Sequence, residues 1–248
     1  MPIPEPVYQN SAGRLLAVLN AMTNGNAYVA EVPKLFGTEP TSEDQRQQVC
    51  LAGLMEIHKL YLEFYEDMLE AQITEPQRKV LLSGLGSLRQ SIYPIQLNAG
   101  YRAPTDAEKS LLEVCATILA QDSTLEKDDI AAIRESISSL RSLVEKGDLP
   151  HGLRKVLLEL IRLSEDAISR FNIHGARGLR KAFKAMLAEA AEVYALAPSD
   201  GEREDLKKSD AWSAISKHLK IFDAIASRLL KYKPLIESGF RLFLGGPK

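Results

Sequence analysis

Large aliphatic residues fall at Ile130, Ile133, Ile137, Leu140 and Val144, three or four positions apart each time. On an α-helix those steps draw one narrow stripe, and such a stripe is buried only against another helix. The same period recurs along the chain. It joins Leu15, Leu16, Leu19 and Met22, then Val80, Leu81, Leu85 and Leu88, then Leu111, Leu112, Cys115 and Ile118, and later Leu153, Leu157, Leu160 and Ile161. No segment sustains the period-two alternation that strands need, and aromatic residues are only 6%. The fold class expected is all-α: an irregular bundle of about eight or nine helices, some long, with little or no β-sheet.

Helix punctuation supports this. Asn10 or Ser11 is placed to cap a first short helix, and a second runs over about 27–36, limited by Pro33 and Gly37. Ser42…Gln45, Thr74…Gln77 and Thr105…Glu108 each have the spacing of a capping box. The first box opens a helix to about Gln72, roughly 45 Å long at 1.5 Å per residue. A helix of that length forms one wall of a molecule or reaches a partner. Gly84 and Gly86 sit inside a helical pattern, where close helix approach is their expected use. Gly147 suits a left-handed helix end, and Pro150 the first turn of the next helix. Pro198–Asp210, with five acids, three bases and Leu206 as its one large aliphatic residue, reads as a linker. The division expected is a helical subdomain over 1–100 behind a proline-rich leader, and a helical bundle over 101–248. A single compact domain is the alternative. The pattern ends in a helix over Pro234–Leu244, whose Phe240, Leu242, Phe243 and Leu244 offer an apolar contact surface.

Composition bounds the function. Hydrophobic residues are 45%, charged residues 26%, and the formal charge is −2, so no global pull toward nucleic acid or anionic membrane exists. Two cysteines, Cys50 and Cys115, lie in apolar helical patterns and read as core thiols. The opening Met-Pro-Ile-Pro-Glu-Pro lacks the regions of a secretory signal, and the longest charge-free run, Leu15–Ala30, is interrupted by asparagines and a glycine. A cytoplasmic protein without a membrane span is expected. Glu-x-x-His, His-Glu-x-x-His, Cys-x-x-Cys, the phosphate loop and the Gly-x-Ser-x-Gly elbow are all missing. No catalytic residue, metal ligand or cofactor is therefore assigned. Glu56, Glu63, Glu66, Asp67 and Glu70 share part of one helix face, and a solvated face is the expected use. His58 and His218 read as surface or satisfied core histidines, and His151 as a first-turn residue.

The most distinctive stretch is Phe171–Met186, a glycine-broken corner between two helical patterns. From His151 to Lys184 there are eight bases against three acids. Arg177, Lys181 and Lys184 share a helical face, and Arg170, His174 and Arg180 stand beside them. These six are the candidate anion or nucleic-acid contacts, because helix starts carry free N–H groups and a positive dipole end. A solvated amphipathic face is the plainer account. The stretch 164–183 resembles a helix-turn-helix with its turn at Asn172-Ile173, which implies a reading helix over 177–184. Gly175-Ala-Arg-Gly178 is similar to the backbone clamp of KH domains, without their βααβ surroundings. The all-α chain with Arg170 and His174 near a helix end also resembles HEPN-type ribonucleases. That resemblance implies His174 as general base and Arg170 as stabiliser of phosphorane charge. Three residues separate the pair here, where that motif has four to six.

The function expected is that of a non-enzymatic helical interaction protein: an adaptor, regulator or assembly subunit, as in bacterial multi-protein systems. A protein partner or a homo-oligomer is implied. Nucleic-acid binding through the corner 170–184 and HEPN-like RNA cleavage are the alternatives.

Overall fold

The structure, a computed structural model, describes residues 4–94, 96–146, 149–196 and 199–231. The described residues are predominantly helical, and the only β-type pairing among them is an isolated bridge between Ala27 and Gly100. The chain divides into two compact units. The first holds residues 1–122 and 172–175, and the second holds 123–171 and 176–248.

In the first unit, α1 (Ser11–Ala21), α2 (Tyr28–Leu35), α3 (Glu43–Glu70), α4 (Glu75–Gly84), the short α5 (Arg89–Ile92) and α6 (Asp106–Ile118) follow in order. The caps explain where they begin. Asn10 accepts from Gly13 N at 3.0 Å and starts α1, while Ser11 donates instead to Asp67 at 2.6 Å. The Thr105–Glu108 and Thr74–Gln77 boxes are present at α6 and α4. At α3 the box is half-formed: Ser42 accepts from Gln45 N, but the Gln45 side chain accepts from Thr41. Glu43–Glu70 at 1.5 Å per residue spans about 42 Å.

Helix α3 is the hub, with α1 and α2 packed on it, and α6 packed on α1 and α4. The core gathers Leu15, Leu19, Val32, Ile57, Leu60 and Phe64, with Leu88 and Leu112. Gly84 serves the close approach expected of it, since a Cβ there would stand 2.6 Å from the Leu111 side chain on α6. Tyr101 ties the loop back, donating to Leu19 O at 2.7 Å. Cys50 and Cys115 are buried free thiols, pushed up to about 11 by desolvation.

The second unit contains α7 (Lys127–Glu145), α8 (His151–Ser169), most of α9 (Phe171–Leu196), α10 (Asp200–Lys208) and α11 (Asp210–Leu230). The Ile130–Val144 seam does what its spacing demands. Ile133, Ile137 and Leu140 are buried, and the two ends are half-buried. They meet Leu157, Leu160, Phe183, Met186, Ile215, Leu219 and Phe222 in one core. The acidic stretch read as a linker forms α10. Ser199 caps it, accepting from Glu202 N at 3.3 Å, and half-buried Leu206 packs against the core. The unit boundary falls at 122/123, some way past position 100. Gly147, Phe240, Leu242, Phe243 and Leu244, with the expected helix over 234–244, lie outside the described residues.

Candidate interaction face and the corner at Gly175

The corner is built by one glycine. Residues 171–174 are helical, and the break expected at Asn172-Ile173 falls instead at Gly175 (φ 55°, ψ −153°). That backbone region is essentially closed to residues with a Cβ. A second constraint acts there too: a Cβ would stand 2.5 Å from Arg14 Nη1. Ile173 is buried in the first unit's core.

Arg14 is the centre of this corner. Its side chain is 1% exposed, and it donates to Glu63 at 2.8 Å and Asp122 at 2.7 Å. Beside them His174 Nε2 stands 3.0 Å from Glu56, whose other oxygen accepts from Lys59 at 2.9 Å. Three of the acids on α3 are thus engaged at its inner edge, Glu56, Glu63 and Asp67, while Glu66 and Glu70 are exposed. The solvated-face expectation holds only for those last two. An arginine brought into a low-dielectric interior needs such partners, because an isolated charge there costs several kcal/mol.

The other corner residues divide. Arg170 pairs with Asp166 at 3.5 Å within the second unit. Arg177, Lys181 and Lys184 are exposed along one side of α9, and Arg180 is half-buried. Of the two residues of the HEPN resemblance, His174 lies against Glu56 in the first unit and Arg170 pairs with Asp166 in the second. A histidine oriented by a carboxylate is half of a general-base arrangement. Among the described residues no group of three or more His, Cys, Asp or Glu is placed to hold a metal ion.

In the second unit, His218 is fully buried. Ser136 Oγ lies 2.8 Å from Nδ1, and Ser164 Oγ lies 2.8 Å from Nε2. Ser164 also donates to Leu160 O at 2.6 Å. Burial brings the imidazole down to about 4. This is the satisfied core histidine that the sequence suggests. An open, mostly apolar concavity of about 700 Å³ in this unit is lined by Leu143, Leu149, Leu153 and Val193 together with Glu202 and Asp205.

The feature that sequence reasoning missed is on α3. Its inner stripe, from Cys50 through Ile57, Leu60 and Phe64 to Met68, is buried. A second stripe runs along the outside: Leu51 (53% exposed), Met55 (55%), His58, Leu62 (45%), Tyr65 (38%) and Leu69 (50%). The steps are four, three, four, three and four, the seam of a helix that pairs with another helix. The exposed Tyr93 ring widens it, lying 5.1 Å from His58 and hydrogen-bonded to it. The signal was present in the residue numbers, but the inner stripe interleaves with it and hides it from a search for one apolar face.

Comparison with protein-family models, with curated proteins and with solved structures finds no match. Among the described residues no helix is long and apolar enough to cross a membrane.

Proposed function

We propose that this chain is a helical interaction protein that binds through the outward face of α3. The observation that carries the reading is the stripe from Leu51 to Leu69. Single exposed leucines are ordinary on a protein surface. Five large apolar side chains in heptad register are not, because together they leave about 500 Å² uncovered on the ~200 Å² scale of such residues. Water leaves that surface when a second helix with the same period lies along it.

The fold supports the same role. Inner and outer stripes give α3 two apolar faces, one for its own core and one left over. A helix serving only its own unit needs one such face. The test is association measured with the face altered. Leu62→Glu with Met55→Glu is expected to abolish the complex seen by sedimentation velocity, while thermal melting stays within a few degrees of wild type. Complex formation unchanged in that variant would refute the reading.

A second reading, nucleic-acid binding, draws on Arg177, Lys181 and Lys184. All three are exposed on one side of α9, at helical spacing and just beyond the Gly175 corner. Phosphate contacts of this kind are strongly salt-dependent.

A further inference from the structure

The banks of the α3 stripe identify what covers it. We propose that the occupant is a second copy of this chain, with the two α3 helices side by side and parallel. The inference rests on the interaction reading above and adds the identity and direction of the partner.

In seam notation Met55, Leu62 and Leu69 are a positions, and Leu51, His58 and Tyr65 are d positions. The two flanks differ in charge. On the d side a groove runs beside Tyr61, Tyr65 and Leu69, and Arg78, Lys79 and Arg89 line it. Arg78 is held by Glu75, while Lys79 and Arg89 are exposed. Arg89 Nε points toward the Tyr61 hydroxyl, at 3.5 Å. On the other side Glu66, an e position, and Glu70, the b position beyond it, are exposed. The stripe therefore has a basic bank and, along the last two turns of α3, an acidic one, with Lys59 one heptad earlier on the same flank and paired with Glu56.

The direction of pairing decides which banks meet. Parallel helices place the g flank of one on the e flank of the other. Lys79 and Arg89 of one copy then face Glu66 and Glu70 of the second, and the two-fold axis repeats the match on the opposite flank. Antiparallel helices place the C-terminal half of one beside the N-terminal half of the other, so the basic bank of neither copy meets the acidic bank of its partner. Parallel pairing in register also stacks all six seam positions on their own counterparts. A chain whose two banks complement each other is its own partner of the right chemistry.

Area sets the strength. About 500 Å² of apolar surface per copy gives about 1,000 Å² in the pair, close to the lower bound of specific interfaces before the charged flanks are counted. An interface of that size belongs to the weak, reversible class, so association is sought at micromolar concentrations and above.

The experiment uses the full chain. Sedimentation equilibrium across a micromolar concentration series is expected to show a monomer–dimer equilibrium. Leu62→Glu and, separately, Leu51→Glu are expected to weaken it roughly tenfold or more, with melting temperature unchanged. Direction is read by cross-linking. Cys50 and Cys115 are buried, so Leu51→Cys and Leu69→Cys proteins report only the new thiols. Under oxidised glutathione each variant alone is expected to form a disulfide-linked homodimer, and a mixture of the two no 51–69 hybrid. A dominant 51–69 hybrid overturns the parallel arrangement. A monomer throughout the series overturns the second copy as occupant. In that case a complex with a different, identified protein that Leu62→Glu abolishes leaves the interaction reading standing, and absence of any complex removes both.

Discussion

Lowering the pH from 7 to 4 should cost the second unit about 3 kcal/mol through one side chain, His218. Its ring is completely buried and touches Ser136, Ser164 and the Phe222 ring, whose centroid is 5.2 Å away. Ser164 spends its proton on Leu160 O. Nε2 therefore carries the ring hydrogen and donates to Ser164, while Nδ1 accepts from Ser136. The neutral ring is satisfied at both nitrogens. The charged ring would have to be held away from water, and that desolvation brings the group down to about 4 from its ordinary 6.5. The sign follows from the unfolded chain, where the same imidazole is solvated and takes a proton below pH 6.5. Stability is fully present above pH 6.5, falls as pH drops through the interval, and levels off below about 4. A gap of about two and a half units at 1.36 kcal/mol each gives the figure of about 3 kcal/mol.

Two measurements check it. Nuclear magnetic resonance titration of the imidazole carbon-bound protons should leave one of the chain's four histidines neutral down to about pH 4. Urea unfolding at pH 7, 6, 5 and 4 should show a pH dependence that His218→Gln lacks, after the carboxylate contribution common to both proteins is subtracted. Midpoints and slopes are compared for the transition of the second unit, since two units need not unfold as one. A His218 that titrates near 6.5, or a His218→Gln protein with the wild-type pH slope, would refute the reasoning.

Gly175→Ala should destabilise the first unit by about 3 kcal/mol, from backbone strain and from a Cβ driven onto the Arg14 guanidinium; a melting temperature within error of wild type would contradict it. Arg14→Met should cost a similar amount, about 3 kcal/mol, because Glu63 and Asp122 lose their cation while partly enclosed, and denaturant unfolding reads the loss directly. Arg177→Glu with Lys181→Glu should abolish any low-salt retention of RNA or DNA; the second reading ends if the wild-type protein retains neither.

How much of this was legible in the residue order depends on whether a local rule or a tertiary contact governs each element. The Thr105 and Thr74 boxes sit where spacing alone puts them, because capping is a local exchange of hydrogen bonds over four residues. The Ile133–Leu140 seam was equally plain, being one stripe with one partner surface. The stretch 200–208 reads as a linker because its composition is polar, and it forms a helix. Ser199 as cap and Leu206 as a single packing residue are enough to hold a helix beside a larger neighbour. The corner glycines pointed to a break, but not to which residue would carry it. Choosing Gly175 required knowing that Arg14, far away in sequence, lies against its backbone. The same distance hid the engagement of Glu56 and Glu63. On α3 they read as two more solvated acids until His174 and Arg14 are placed beside them.

The two faces of α3 are the strongest support for the proposed interaction role. Unit one fills its interior with Ile57, Leu60, Phe64 and Met68 and spends buried charge to complete it at Arg14. Nothing in that core uses Leu51, Met55, Leu62 or Leu69. If those four were incidental exposures, their positions would be uncorrelated, and removing them would relieve a solvation cost at no loss elsewhere. Together with Tyr65 they instead keep a seam of four- and three-residue steps over about 27 Å of helix, interrupted only by His58, which Tyr93 covers on one side. A seam of that regularity is what a helix that pairs with a second helix carries. On the proposed reading, charge then narrows which helix, because a parallel pair brings the cations of one bank to the acids of the other and a reversed pair separates them.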